Sequence, residues 1–205
     1  FGRISDPVFI PYSIDADFFR HRGTKSGNCL IFVGRFAPNK RIEKLIDVFK
    51  LVKSSVPDAL LYLVGDGNLM PNLKSLVMEA DLEDSVIFTG KICDKELAEF
   101  YGKARVFVSA ASYEGFGLST IEAMSAGCVP VVNDIAAFRN FIENGKNGFI
   151  SDFDDVERTA ELICRVLRKD VVIAPVEITN TTDNYGWELN VKRMEDVYNA
   201  CLGNG

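Results

Sequence analysis

CLIFVGRFAPNKRIEKLIDVFKLVKSSVPDALLYLVGDG (residues 29–67) decides the fold. Its first five residues, Cys29–Val33, are apolar without alternation, the pattern of a strand buried on both faces, and the run stops at Gly34. Residues 41–56 then place Ile42, Leu45, Ile46, Phe49, Val52 and Val56 at steps of three and four, the period of an amphipathic helix. Pro57-Asp58 ends it, and residues 59–64 form a second apolar run that closes at Gly65-Asp66-Gly67. Strand, helix, strand in this order is the unit of a parallel sheet.

The alternation continues beyond that stretch. It predicts helices at 69–80, 94–103, 118–126, 136–142 and 154–167, and strands at 86–89, 106–109, 129–132 and 148–150. The expected fold class is therefore α/β, a Rossmann-like parallel sheet with helices on both faces, spanning residues 29–170. Residues 1–28 precede the alternation and end in a connecting loop at 20–28; residues 171–205 follow it, with a terminal helix at 188–202.

Composition narrows the function classes. The 205 residues are 47% hydrophobic and 25% charged, close to the average globular domain, so a disordered or fibrous chain is excluded. No apolar run reaches the ~18 residues of a membrane span. A net charge of -6 argues against nucleic acid as a partner. The five cysteines (29, 93, 128, 164 and 201) are widely spaced, an odd count that fits reduced thiols in the cytoplasm. The single histidine, His21, sits in a polar stretch and offers a poor start for a Ser-His-Asp or Cys-His site. The opening residue is Phe1 rather than Met, and the expectation is a piece of a longer protein.

In a parallel sheet the loops leaving the strand carboxyl ends form the ligand edge. Gly34-Arg35, Gly65-Asp66-Gly67, Gly90 and Glu114-Gly115-Phe116-Gly117 all fall at such ends. Arg35, Lys40 and Arg41 put three cations around one loop, either a grip for phosphate oxygens or ordinary solvated surface charge. At the second loop, the amides of Phe116, Gly117 and Leu118 open a helix, where an anion is favoured. Glu114 and Glu122 stand at the spacing E-x7-E. They suit hydroxyl groups of a sugar or ribose; the plainer account is one glutamate at a helix dipole and another on its solvent face.

Other features read as structural. Gly65-Asp66-Gly67 has Met70 where a dinucleotide fingerprint needs glycine. Asp15-Ala16-Asp17 has the spacing of a metal-binding pair but lies away from the ligand edge. Asn180-Thr181-Thr182 matters as a sequon only in a secreted protein, and Cys128 reads as a small core residue.

Taken together, VGRF-x3-K (33–40), LVGDG (63–67), FTG (88–90) and YEGFGLSTIEAMSAGCVPVV (113–132) resemble the carboxyl-terminal half of a family 4, or group 1, retaining glycosyltransferase. IPYSIDADFF (10–19) is similar to that family's interdomain segment, which would account for Asp15 and Asp17. The resemblance covers about residues 8–200. It implies one Rossmann-like half of a GT-B fold that binds a UDP- or GDP-linked sugar for transfer of a hexose. By position, it assigns Arg35 and Lys40 to the donor diphosphate, Gly117 and Leu118 to the distal phosphate, Glu122 to the ribose and Glu114 to the transferred sugar. Gly34, Gly67 and Phe116 complete the donor-binding set. No metal and no cofactor are implied. The acceptor, a glycan or lipid, would be held by an N-terminal domain, through which alone the enzyme would touch the cytoplasmic face of a membrane. The isolated half is expected to transfer little.

Two departures stand out. The family commonly has a glycine pair and then a glutamate after the PVV strand, where this chain has Ala136-Ala137 and Asn140; Gly186 replaces a small hydroxyl residue before Trp187. A competing reading is a non-catalytic nucleotide-sugar-binding module or partner subunit, which would have no reason to keep Arg35, Lys40, Glu114 and Glu122 together. An epimerase or a phosphorylase fits less well.

Overall fold

The computed structural model describes residues 8–20, 25 and 27–202; His21 and part of the 20–28 connection lie outside them. Along the chain run α1 (Ala16–Phe19), β1 (Cys29–Val33), α2 (Ile42–Ser55), β2 (Leu60–Val64), α3 (Met70–Glu79), β3 (Val86–Gly90), α4 (Asp94–Lys103) and β4 (Val106–Ser109). There follow α5 (Leu118–Ser125), β5 (Val129–Asn133), α6 (Ala136–Arg139), β6 (Phe149–Ser151), α7 (Val156–Arg168), α8 (Pro175–Asp183) and α9 (Trp187–Leu202). A single 3-10 turn, Pro38–Lys40, precedes α2.

The strands form one six-stranded sheet in the order β3-β2-β1-β4-β5-β6, and every pairing is parallel. Helices cover both faces: α2 packs against α7 on one, while α4 and α5 lie over β1, β4 and β5 on the other, with α8 against α5. Ile31, Leu61, Val106 and Val131, one from each of four strands, have no exposed surface, which explains why the strands carry unbroken apolar runs. The side chains of α2 at 42, 45, 46, 49 and 52 are all buried. Each such aliphatic or aromatic group contributes about 1.5–3 kcal/mol on leaving water.

Three local departures from the sequence reading have physical causes. Asp15 begins a short helix where irregular chain was expected, its side chain accepting from Phe18 N at 2.9 Å so that Ala16 and Phe19 can bury. The helix expected over 136–142 stops at Arg139, and Asn147 holds the turn beyond it by donating to Phe141 O (2.9 Å) and accepting from Glu143 N (2.8 Å). No element was expected at 175–183, yet α8 forms there. Pro175 presets its first turn, and its threonine hydroxyls bond back to carbonyls of the same helix.

Hydrogen bonding continues past the strand ends into the loops. Gly34 N donates to Val64 O (3.0 Å), Gly65 N to Gly90 O (3.0 Å) and Phe36 N to Asp66 O (2.9 Å). Gly65 has φ 130, and a Cβ there would lie 2.0 Å from Gly34 O; a Cβ on Gly67 would lie 2.3 Å from Phe36 O. Backbone approach of this kind requires glycine. Gly65→Ala is therefore expected to lower unfolding free energy by about 2 kcal/mol or more, whereas Gly115→Ala, which meets open space, should change it by less than about 0.5 kcal/mol. Urea denaturation of the two variants checks this.

Candidate functional site

With this strand order, β1 and β4 lie side by side but send their connections in opposite directions. A strand order that reverses in this way puts the ligand side of a parallel sheet at the carboxyl edge of these two strands. Residues 34–41 and 110–117 are the loops leaving that edge. Ser112 N donates to Asn39 O (2.9 Å) and Asn39 Nδ2 to Tyr113 O (3.1 Å), tying one loop to the other. Beside these bonds, Lys40 Nζ donates to Glu114 Oε1 in an ion pair whose side chains are 17% and 15% exposed. The second loop thus supplies a carboxylate to the first, and Glu114 is neither a solvent-facing group nor a simple dipole cap.

The remaining cations part company. Arg35 is exposed and forms no ion pair among the described residues. It lines a hollow of about 680 Å³ together with Gly34, Gly67, Lys91, Ile92 and Leu97. Arg41 instead adopts a left-handed backbone (φ 49) and pairs with Asp154, which also lies 3.4 Å from Lys44 Nζ. Its side chain turns to the start of α7, so of the three cations read from the sequence Arg41 leaves the loop, Lys40 is paired with Glu114, and Arg35 alone forms no ion pair among the described residues. Lys40, Glu114 and Glu122 do not line the hollow itself.

Gly117 caps α5 with φ 93, and a Cβ there would sit 3.0 Å from the Phe138 ring. The Phe116 ring is half-buried and packed edge-on against Tyr12 and Tyr185, at centroid distances of 5.5 and 5.6 Å. The N–H groups of Phe116, Gly117 and Leu118 find no acceptor among the described residues. Three donors at a helix start make an anion-accepting edge. Gly34 and Gly67 serve backbone packing first: their missing Cβ atoms would face the Phe32 ring and the Phe36 backbone.

Glu122 lies on α5 with its carboxyl mostly out of water. Burial pushes it above the usual carboxylate range and nearby Asp94 adds to that, while a hydrogen bond from Tyr101 Oη to Glu122 Oε2 (3.0 Å) opposes it. The solvent-face account of this residue does not hold. Lys91 and Ile92 escaped the sequence reading although they directly follow Gly90, a strand end like the others. Tyr101 carried no sequence signal, since its spacing along α4 is that of any core residue.

Of the features set aside earlier, Asp15 caps α1 and Asp17 lies 3.4 Å from Arg20, at the edge of a separate hollow of about 570 Å³ reaching Trp187. Cys128 is fully buried, and none of the five cysteines forms a disulfide. Among the described residues no helix is long and apolar enough to cross a membrane, and no cluster of His, Cys, Asp or Glu is placed to hold a metal ion.

The raised carboxyl of Glu122 makes a signed prediction. A folded-state value above the unfolded one means the native state holds the extra proton, so stability is lost as pH rises from the unfolded value through the folded one. Glu122→Gln removes that loss. The stability of the variant relative to the parent, measured by urea denaturation, should therefore be greater at pH 7 than at pH 4.

Comparison with known proteins agrees with this geometry. The family described as "Glycosyl transferases group 1" matches residues 13–184. Mannosylfructose-phosphate synthase of Agrobacterium fabrum is 35% identical over 162 residues, covering 74% of this chain and 36% of that protein. GDP-mannose:cellobiosyl-diphosphopolyprenol alpha-mannosyltransferase of Komagataeibacter xylinus is 27% identical over 202 residues, covering 96% and 51%. The chain thus spans about a third to a half of the length of these relatives. The crystal structure of the pneumococcal O-GlcNAc transferase GtfA in complex with UDP and GlcNAc superposes with a TM-score of 0.80 at 21% identity, over 94% of this chain and 38% of that one, a likeness of fold. The parallel sheet is that of one Rossmann-like half of a GT-B enzyme, and the chain belongs to the group 1 glycosyltransferases.

Proposed function

We propose that this chain is the donor-binding half of a retaining glycosyltransferase, taking a UDP- or GDP-linked hexose whose acceptor is held by a further domain. The observation that carries it is the meeting, at the carboxyl edge of β1 and β4, of Lys40 paired with Glu114 and the open amides of Phe116, Gly117 and Leu118. Arg35 adds a second positive charge at the edge of the hollow. Cations and oriented N–H groups oppose the negative charge that grows on a departing diphosphate. Glu114 stands where a sugar attached to that diphosphate would offer its hydroxyls, and Glu122 accepts from the ribose. The hollow lined by Lys91, Ile92 and Leu97 is of a size and polarity to receive the base.

The relatives support this reading. One is named for GDP-mannose, and the matched crystal structure was solved with UDP and GlcNAc. Transfer is proposed to need no metal, because two side-chain cations and a helix start already face the phosphates. The odd count and wide spacing of the five cysteines support a reducing compartment, the cytoplasm, as the place of action. Contact with a membrane, where the acceptor is a lipid, falls to the acceptor-binding domain.

Calorimetric titration of UDP and GDP tests the assignment. One of them should bind, and Arg35→Ala and Glu122→Ala should each weaken it by about 1 kcal/mol or more, roughly fivefold. Unchanged affinity in both variants would overturn the phosphate and ribose assignments. Excess EDTA should leave the parent affinity where it was; a loss on chelation would bring a metal into the site.

A further inference from the structure

Tyr101 lies one turn beyond Leu97 on the same face of α4, and Leu97 lines the hollow. Its side chain is wholly buried. The ring meets Phe19 edge-on at 5.6 Å, and the residue's own carbonyl accepts from Lys25 Nζ at 2.9 Å. The hydroxyl crosses to α5, 3.0 Å from Glu122 Oε2 and 3.1 Å from Ser119 O. A phenol has one proton to give, and a carboxylate is the stronger acceptor. Packing alone would be served by a phenylalanine; a hydroxyl taken fully out of water is retained only where it is bonded.

We propose that Tyr101 is a positioning residue for ribose recognition: its hydroxyl fixes one oxygen of Glu122 and leaves Oε1, which has no partner among the described residues, to take the ribose hydroxyls. The inference rests on the reading of Glu122 as the ribose acceptor. Its physical content is preorganisation. A glutamate has three rotatable side-chain bonds, and ordering them at the moment of binding would subtract from affinity. Tyr101, itself clamped by Phe19, Lys25 and α5, orders them beforehand.

The test compares UDP or GDP, whichever binds more tightly, with its 2′,3′-dideoxy counterpart and with inorganic pyrophosphate, in the parent and in Tyr101→Phe. The parent should prefer the ribonucleotide. Tyr101→Phe should reduce that preference about fivefold or more while its affinity for pyrophosphate and its cooperative thermal unfolding persist. If the parent shows no preference, or binds neither nucleotide, the Glu122 reading fails and this inference fails with it. If the parent discriminates and Tyr101→Phe discriminates equally, the inference alone is overturned. Weakening of pyrophosphate to the same extent as the ribonucleotide would also overturn it, since a packing role acts on every ligand alike. Should Tyr101→Phe not fold, 3-fluorotyrosine at position 101 retains ring and donor. Preference at or above the parent's would support the inference, and its loss would overturn it.

Discussion

Everything at the ligand edge follows from the pairing of β1 with β4 in the middle of the sheet. Leu30 aligns with Val106 and Ile31 with Phe107, two strands separated by three crossovers in sequence but by one hydrogen-bonded step in space. Because their outgoing connections run in opposite directions, the polar groups there are not used up in sheet or helix bonding. Lys40 and Glu114 meet between the two loops with little solvent around them. Each charge is matched by the other, which offsets the cost of holding either one partly out of water.

The division of labour between backbone and side chains is consistent through the site. Around β1 and β2, close main-chain approach at Gly34, Gly65 and Gly67 sets the shape. Around α5, Gly117 opens the helix and the Phe116 ring is tied into an aromatic cluster with Tyr12, Phe141 and Tyr185. Tyr12 and Tyr185 belong to segments that also touch directly, Ile14 N donating to Tyr185 O at 2.9 Å and Trp187 N to Ile14 O at 3.2 Å. The loop that presents open amides is thereby braced by chain from both flanks of the α/β domain.

How much of this the sequence disclosed depends on what kind of interaction was at stake. The strands were legible because both faces are covered, which leaves no polar residue to interrupt runs such as Cys29–Val33. The helix α8 was not, since Val176, Ile178 and three threonines argue locally against a helix and only packing of Ile178 and Thr182 under α5 decides the matter. The strand-end rule located Gly34, Arg35, Glu114 and Gly117. It said nothing of the 74-residue leap that joins Lys40 to Glu114, or of Arg41 turning to Asp154. Tyr101 looked like any apolar position of α4; its hydroxyl acquires meaning only from the distance to α5, a tertiary quantity that no local pattern encodes.

The two sides of the hollow are made of different material. At 65–67 the surface is main chain pressed against main chain, with no room for even one added carbon at either glycine. Opposite, Lys91, Ile92 and Leu97 present side chains whose length and charge can vary without moving the sheet. The hollow therefore has one adjustable wall and one fixed wall, and libraries meant to change what it admits are best directed at the former.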